Sequence, residues 1–452
     1  MHRKISFHSS WQSKKFISRI SFALMFSSSV YSAPDAIELS FTLSDTVASN
    51  SSGEATGAAL SALCPGLESL SRTTAQQNLR EFCNALPGAN SDEQRLAFDQ
   101  VSSKANAASA NISNLQQTGV QPKTIQLSSG GNSRPSTPQQ SSYRFQSQIP
   151  LHSFLGSNSK SDWDYFYKRI NTFASFDSSF SERDETIDET GFESVNLKAL
   201  IGADYRINNK WILGTAMTLS RSQTDLSGGR GSADATGINW MIFGLHQINS
   251  RWSINGTLML DTADYDNKRN ITIGLPSLTS SYSLSAESSA NQTGLLLGSD
   301  FQWQLPKAFE LSLLNQINAA RTETDSYNES GNTGFELAIN AQSVDNITMD
   351  NGVELRKPIM QSWGVIIPQL NFHWIHQFAD QSRKVNASFI HDPQANLIAY
   401  TTQDGDSDYF STRLGAVFVM PNGFNAFAQI NSILGYQHYN NTTLSIGVRG
   451  EF

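Results

Sequence analysis

No stretch of this 452-residue chain approaches the roughly 18 consecutive apolar residues of a transmembrane helix. A place in a membrane is therefore open to it only as a closed barrel, because helices and barrels alone satisfy every backbone N–H and C=O in lipid. Charge is scarce as well: Asp, Glu, Lys and Arg make up 16% of the residues. Mean hydropathy is nonetheless −0.34, so Ser, Thr, Asn and Gln carry the polarity. No basic excess exists either. The formal net charge of −8 argues against nucleic acid as a partner, since a phosphate backbone is gripped by clustered cations. Catalytic signals are absent too: there is no Gly-x-Ser-x-Gly elbow, and no serine is paired by spacing with a His and an Asp. The chain is read as a non-enzyme with no cofactor or metal site.

What is present begins with an N-terminal export signal. Arg3, Lys4, Lys14, Lys15 and Arg19 form a basic region, Ile20 to Phe26 a short apolar core, and Val30-Tyr31-Ser32-Ala33 a small-residue cleavage site. Removing residues 1–33 takes the net charge from −8 to −13. In an exported chain the two cysteines, Cys64 and Cys83, are most simply a disulfide. Closing so short a loop contributes roughly 3 kcal/mol in the chain-entropy model.

Residues 34–127 read as a small, mostly helical module. Ser91-Asp92-Glu93-Gln94 resembles a capping box ahead of Leu96, Val101, Ala105, Ala108, Ile112 and Leu115. Leu67, Leu70, Leu79, Phe82 and Leu86 suggest an earlier helix around the cysteines. Residues 128–162 are a linker, Gly/Ser/Pro-rich over 128–142, with a candidate pore-threading segment behind it.

From Trp163 onward the texture changes to long period-2 segments, which put apolar residues on one face and polar ones on the other. Val195, Leu197, Ala199, Ile201, Ala203 and Tyr205 interleave with Ser194, Asn196, Lys198, Gly202, Asp204 and Arg206, with Leu200 the exception. Twelve segments fall near 163–178, 191–206, 210–223, 235–247, 252–266, 289–304, 309–323, 342–357, 364–379, 406–420, 423–436 and 440–452. Those at 235–247 and 423–436 are apolar on both phases. Short connections alternate with long polar ones near 179–190, 224–234, 267–288, 324–341 and 380–405, the asymmetry of outer-membrane barrels. Trp211, Trp252, Trp303 and Trp363 all sit beside short turns, which makes an aromatic girdle at one interface. The fold expected over 163–452 is an all-β transmembrane barrel of about 12 antiparallel strands; the competing fold is a soluble β-sandwich.

Gly191-Phe192 leading into Leu200-Ile201-Gly202-Ala203-Asp204-Tyr205-Arg206, then Trp211-Ile212-Leu213-Gly214-Thr215-Ala216, resembles the translocator domain of autotransporters (type V secretion). So do Tyr265-Asp266-Asn267-Lys268-Arg269 and the terminal Ser445-Ile446-Gly447-Val448-Arg449-Gly450-Glu451-Phe452. The resemblance covers 163–452. It implies an outer-membrane location in a Gram-negative bacterium, with lipid, periplasmic chaperones and the barrel-assembly machinery as partners. Leu444, Ile446, Val448 and Phe452 would be the assembly signal, although Gly450 stands where the family often has a large residue. No Asn-Asn pair lies in 143–170, so self-cleavage is not implied and the module is expected to stay attached. The surface ligand is left unnamed.

Within a barrel, Lys198, Asp204, Asp261, Asp300, Glu354, Arg356, Arg413 and Arg449 would face the lumen, where charges of both signs line a passage or hold a plug. The run Glu182, Arg183, Asp184, Glu185, Asp188, Glu189 reads as a solvated loop, Gly228-Gly229-Arg230-Gly231 as a flexible one. His373 and His376, at odd spacing on the ninth strand, point to opposite faces. The favoured function is an autotransporter whose barrel anchors a short module and delivers it to the cell surface for adhesion or binding. The alternatives are a pore or structural barrel with a periplasmic module, and an outer-membrane hydrolase that needs a clustered Ser/His/acid set.

Overall fold

Strands with two unlike faces make a two-faced sheet, and a sheet in lipid must close to remove its edges. The computed structural model of the chain describes residues 50–69, 73–106, 169–379, 382–402, 405–420 and 423–451. Twelve strands form the barrel: β1 (Ile170–Arg183), β2 (Phe192–Arg206), β3 (Trp211–Leu226), β4 (Gly231–Gln247), β5 (Trp252–Leu275), β6 (Leu278–Gln304), β7 (Glu310–Thr324), β8 (Gln342–Arg356), β9 (Gly364–Gln377), β10 (Asp408–Val419), β11 (Phe424–Leu434) and β12 (Tyr439–Glu451). Each pairs antiparallel with its chain neighbours, and β12 closes the ring against β1, from Asn171 opposite Glu451 to Arg183 opposite Tyr439. The export signal, the linker 128–162 and Phe452 lie outside the described residues.

Alternation sorts side chains as the sequence implies. On β2, Val195, Leu197 and Ile201 are exposed on the outer wall while Ser194, Asn196 and Lys198 are buried inside. The exceptions have a common cause. Leu200 turns inward to join Phe173, Ile212, Met241, Phe243, Leu245, Met259 and Leu296 in an apolar cluster on the inner wall. That cluster explains why 235–247 is apolar on both phases. Aromatic rings there lie over glycines of the adjacent strand: Phe243 covers Gly214 so closely that no Cβ fits, and Phe427 covers Gly447 likewise.

Three of the expected loops are not loops. Residues 267–288 continue the hairpin, since β5 runs to Leu275 and β6 begins at Leu278. Ile271, Ile273 and Leu275 keep the alternation going among neutral polar residues that hide it. Beyond Arg269, the last β5 residue paired with β4, the tip projects by about 20 Å at strand rise. The connections 324–341 and 380–405 supply a separate four-stranded sheet from Tyr327–Asn328, Leu337–Ile339, Lys384–Phe389 and Ile398–Thr401.

The N-terminal module belongs to the same compact unit as the barrel, Phe41–Phe452. Among the described residues it has three α-helices: α1 (Ser51–Leu63), α2 (Thr74–Ala85) and α3 (Ser91–Val101). Asn50 caps α1 and a Thr73/Gln76 capping box opens α2. The box at α3 is shifted by one from the expected Ser91: Asn90, still extended, accepts from Glu93 N–H at 3.0 Å and Glu93 returns to Asn90 N–H at 2.9 Å. The helix ends at Val101, and residues 104–106 are helical again after a two-residue break. Leu96, expected in its core stripe, is 59% exposed, because the buried line is Gln94, Ala97, Phe98 and Val101. Leu70, Ala108, Ile112 and Leu115 lie outside the described residues. The Cys64–Cys83 disulfide ties the turn after α1 to α2.

Outward Leu260 stands at mid-height of β5, opposite Trp240 and Thr293. Leu260→Arg should lower barrel stability by about 2–4 kcal/mol, read by urea unfolding of protein refolded into lipid vesicles. Leu260→Val should stay near the parent.

Candidate functional site

The inner wall carries its charges in three groups. Near the short-turn end, Arg449 Nη1 lies 2.7 Å from Asp204 Oδ2, both side chains 2% exposed, and Asn171 donates to Asp204 at 2.7 Å. Toward the loop end, Lys198 stands in register with Asp177 on β1 and beside Asp261, which also accepts from Asn239 at 3.5 Å. The third group is the largest. Arg356 bridges Glu310 at 2.5 Å and Glu354 at 3.6 Å, Gln302 donates to Asp300 at 3.2 Å, and Arg413, buried, shares the field of Glu354 and Asp350. Asp204 and Arg449 are thus brought together, as are Glu354 and Arg356; Lys198 and Asp300 are not in one group.

His373 and His376 part company across the wall. His373 is buried inside, 2.7 Å from Asp350 Oδ1. His376 pairs outside with Asp408 at 2.9 Å, which also accepts from Trp374 Nε1 at 3.0 Å. Among the described residues no group of three or more His, Cys, Asp or Glu is arranged to hold a metal. On the outer wall Trp211, Trp252 and Trp363 are exposed, and Trp303 packs on Phe301 at 4.5 Å. All four adjoin the short turns. Leu444, Ile446 and Val448 are exposed on the outer face of β12.

The second site is a socket at the loop end, and sequence reasoning missed most of it. The acidic run is solvated only in part: Glu182, Asp184 and Glu185 are exposed, whereas Arg183 and Glu189 are buried. Glu189, 2% exposed, accepts from Arg183 at 2.9 Å and from Arg383 at 2.6 Å, so one carboxylate pins the first loop to the β9–β10 connection. Asp188 takes Ser51 N–H at 3.1 Å and Ser51 Oγ–H at 2.6 Å, an anion at the start of α1. Glu185 meets Lys104 at 2.9 Å. Nor is Gly228-Gly229-Arg230-Gly231 a loose loop: it is a tight turn that aims Arg230 at Asp99 on α3, 2.7 Å away, and at Glu185. Below them Arg269 grips Glu329 with two nitrogens, at 2.8 and 2.5 Å, and donates to Phe335 O. Asn106 reaches the same Glu329 at 3.0 Å.

Between these ion pairs lies an apolar core shared by both parts. Phe82 of α2 meets Phe335 edge-on at 5.3 Å, and Leu60, Leu63, Phe98 and Val101 pack with Ile271, Ile273, Leu337 and Phe389. The loop that carries Phe335 is fixed by Glu336, whose carboxylate accepts from Thr333 N–H and, at 2.8 Å, from Gly334 N–H. Burial pushes this carboxyl up, but the N–H groups of Thr333, Glu336 and Gly334 and the Thr333 hydroxyl outweigh it and hold Glu336 below the usual glutamate range. The signal for this site was in the sequence: Phe335, Leu337 and Ile339 alternate inside a stretch otherwise read as a polar loop.

A depressed folded value means that Glu336 stabilises the loop above the unfolded glutamate range and loses that contribution as pH falls through the folded value. Protease protection of the loop should therefore drop in a step below about pH 4, and Glu336→Gln should remove the step. Glu189→Ala strands Arg183 and Arg383 without their shared anion, and should lower local stability by about 3–5 kcal/mol, read by hydrogen exchange of the first loop.

A family model described as the autotransporter beta-domain matches residues 172–431, more than half of the chain. The translocator domain of the autotransporter NalP from Neisseria meningitidis is similar in structure, with a TM-score of 0.50, 12% identity, and coverage of 63% of this chain and 88% of that one. The beta domain of the Bordetella autotransporter BrkA has a TM-score of 0.44 and 14% identity, covering 63% and 100%. The transport unit of AIDA-I from Escherichia coli has a TM-score of 0.41 and 12% identity, covering 66% and 94%. No curated protein sequence matches the chain. On the family match, with a closed twelve-strand barrel beneath it, the chain belongs to the autotransporter family, and its β1–β12 form that family's outer-membrane translocator barrel.

Proposed function

We propose that this chain carries its own N-terminal helices across the outer membrane and keeps them at the cell surface, seated on the loop end of the barrel. The reading rests on chain direction. The module precedes the barrel in sequence, yet Asn106, its last described residue, hydrogen-bonds Glu329 at the loop end. The barrel begins at the other end, where Arg169 O accepts from Arg206 N–H at 2.9 Å beside a short turn. The chain between these two points joins opposite ends of the barrel. Long loops face outward and short turns face the periplasm in single-chain outer-membrane barrels, so the loop end is the external one.

Direction of transport needs a free-energy drop on the far side. The socket supplies one, since the pairs Asp99–Arg230 and Lys104–Glu185 and the shared apolar core form only when the module has arrived. We assign insertion to the outward residues Leu444, Ile446 and Val448 with Phe452, read by the barrel-assembly machinery after delivery by periplasmic chaperones. The lumen charges, Asp204 with Arg449 and Arg356 with Glu354 foremost, line the passage. A surface ligand meets the polar outer side of the module, where Gln77, Glu81 and Asp92 are exposed, and adhesion or binding there is the role we give it. The pore reading, with the module in the periplasm, needs contacts at the turn end, whereas the hydrogen bonds and ion pairs that join the module to the barrel involve the loop end.

An epitope tag at Gly88, in the exposed turn between α2 and α3, should bind antibody on intact cells. Labelling that appears only after the outer membrane is permeabilised would overturn the surface location.

A further inference from the structure

Hydrocarbon supplies no hydrogen-bonding group, so a wall that faces it should leave none unused. Several outward hydroxyls obey this. Ser299 Oγ accepts from Trp252 Nε1 at 2.8 Å. Thr215 Oγ1 accepts from Trp240 Nε1 at 2.6 Å and donates to Met241 O at 3.0 Å. Thr412 donates to Asn371 O at 3.2 Å. The pair Asn315 on β7 and Asn351 on β8 departs from the rule. The two stand directly opposite each other. They lie on the outer face, Asn315 between exposed Leu313 and Ile317, Asn351 between Met349 and exposed Val353. Asn315 Nδ2 donates to Asn351 Oδ1 at 2.6 Å. That bond uses one of four amide N–H groups and one of two carbonyls. Among the described residues neither side chain makes another hydrogen bond.

Their depth is that of the bilayer centre. Asn315 lies six residues from Phe309 at the turn end and six from Arg321 toward the loop end; Asn351 lies six from Lys357 and six from Asp345. Those four residues mark the two interfaces: Lys357 Nζ sits over the Phe309 ring at 4.8 Å, and Arg321 reaches Asp345 at 3.8 Å. Six residues of tilted strand rise about 14 Å, half of the hydrocarbon thickness. The row neighbours are engaged elsewhere. Ser299 faces Asn315 from β6 and holds Trp252; Trp374 faces Asn351 from β9 and donates to Asp408 at 3.0 Å. We infer that the β7–β8 wall is where two copies of this chain meet in the membrane. An asparagine carries donor and acceptor together, so a copy related by a two-fold axis brings to the same depth the groups that this one leaves over. Lipid tails bring none. Leu313, Ile317, Ile347 and Val353, exposed around the pair, close over it in such a contact. Amides act in this way as glue within an otherwise apolar membrane interface. No charge is buried, because Arg321, Asp345 and Lys357 lie at the rims.

The test uses the full-length protein in the outer membrane of a Gram-negative host. Its two cysteines are joined to each other, so an added cysteine is the free thiol. Ile317→Cys places one beside Asn315, and Leu197→Cys places one on β2, on the far wall. Oxidation with copper phenanthroline, read on gels without reductant, should link Ile317→Cys into a species of twice the chain's mass and leave Leu197→Cys a monomer. Adding Asn315→Leu and Asn351→Leu to Ile317→Cys should lower the linked fraction roughly tenfold or more. The heat-dependent gel mobility of a folded barrel should be kept, since leucine is favoured in lipid. If the double replacement loses that mobility, Asn351→Leu alone decides. A linked fraction that the leucines leave unchanged would overturn the pairing of copies. So would Ile317→Cys linking no more than Leu197→Cys, or a product of any mass other than twice the chain's.

Discussion

Everything in this molecule depends on the pairing of β1 with β12. A sheet edge in hydrocarbon leaves a row of N–H and C=O groups without partners, each costing several kcal/mol, and this register removes the edge along the full length of both strands. Closure fixes which face of each strand meets lipid. It sets the height of every inner charge, and it brings the last strand beside the first, so that Arg449 and Asp204 meet across a corner of the lumen. Closure also gives the barrel two distinct ends, one of short turns and one of long loops, and the rest of the chain is arranged by that difference.

At the loop end the governing interactions are buried ion pairs, and their value lies in position. Arg183–Glu189–Arg383 and Arg269–Glu329 take charges out of water, which is favourable only when the geometry is good and the remaining donors are used. They link segments far apart in sequence: the first loop to the β9–β10 connection, and the β5 tip to the β7–β8 connection. The loops are thereby held as one surface. The helix-side pairs, Asp99–Arg230 and Lys104–Glu185, are more exposed and more readily screened by salt.

The barrel was legible in the sequence because lipid imposes a two-residue period that few other environments demand. Strand number, the turn-and-loop asymmetry and the outward Trp residues all followed from it. The socket was hard to read for a physical reason. Its strands beyond the membrane have no lipid on one side, so Thr272, Ser281 and Ser283 replace the outer apolar set and the segment resembles a polar loop. Its charges were visible as a run, but a run says nothing about partners nearly 200 residues away, as Glu189 and Arg383 are. The cap of α3 missed by one residue because Asn90 and Ser91 are both good caps, and only the backbone at Asn90 decides between them.

The apolar cluster on the inner wall gives the passage an uneven texture. From β1 to β6, toward the turn end, the wall is phenyl, methyl and thioether, with Phe173, Phe243, Met241 and Met259 foremost. Such groups offer a moving amide no donor or acceptor to hold. The charged pair Asp204–Arg449 stands on one flank of this patch and the Asp300, Glu354 and Arg356 group on the other. On the translocation reading proposed above, a polypeptide in transit would meet a slippery strip between two gripping edges, with friction, on the scale of single hydrogen bonds, confined to the margins of its track.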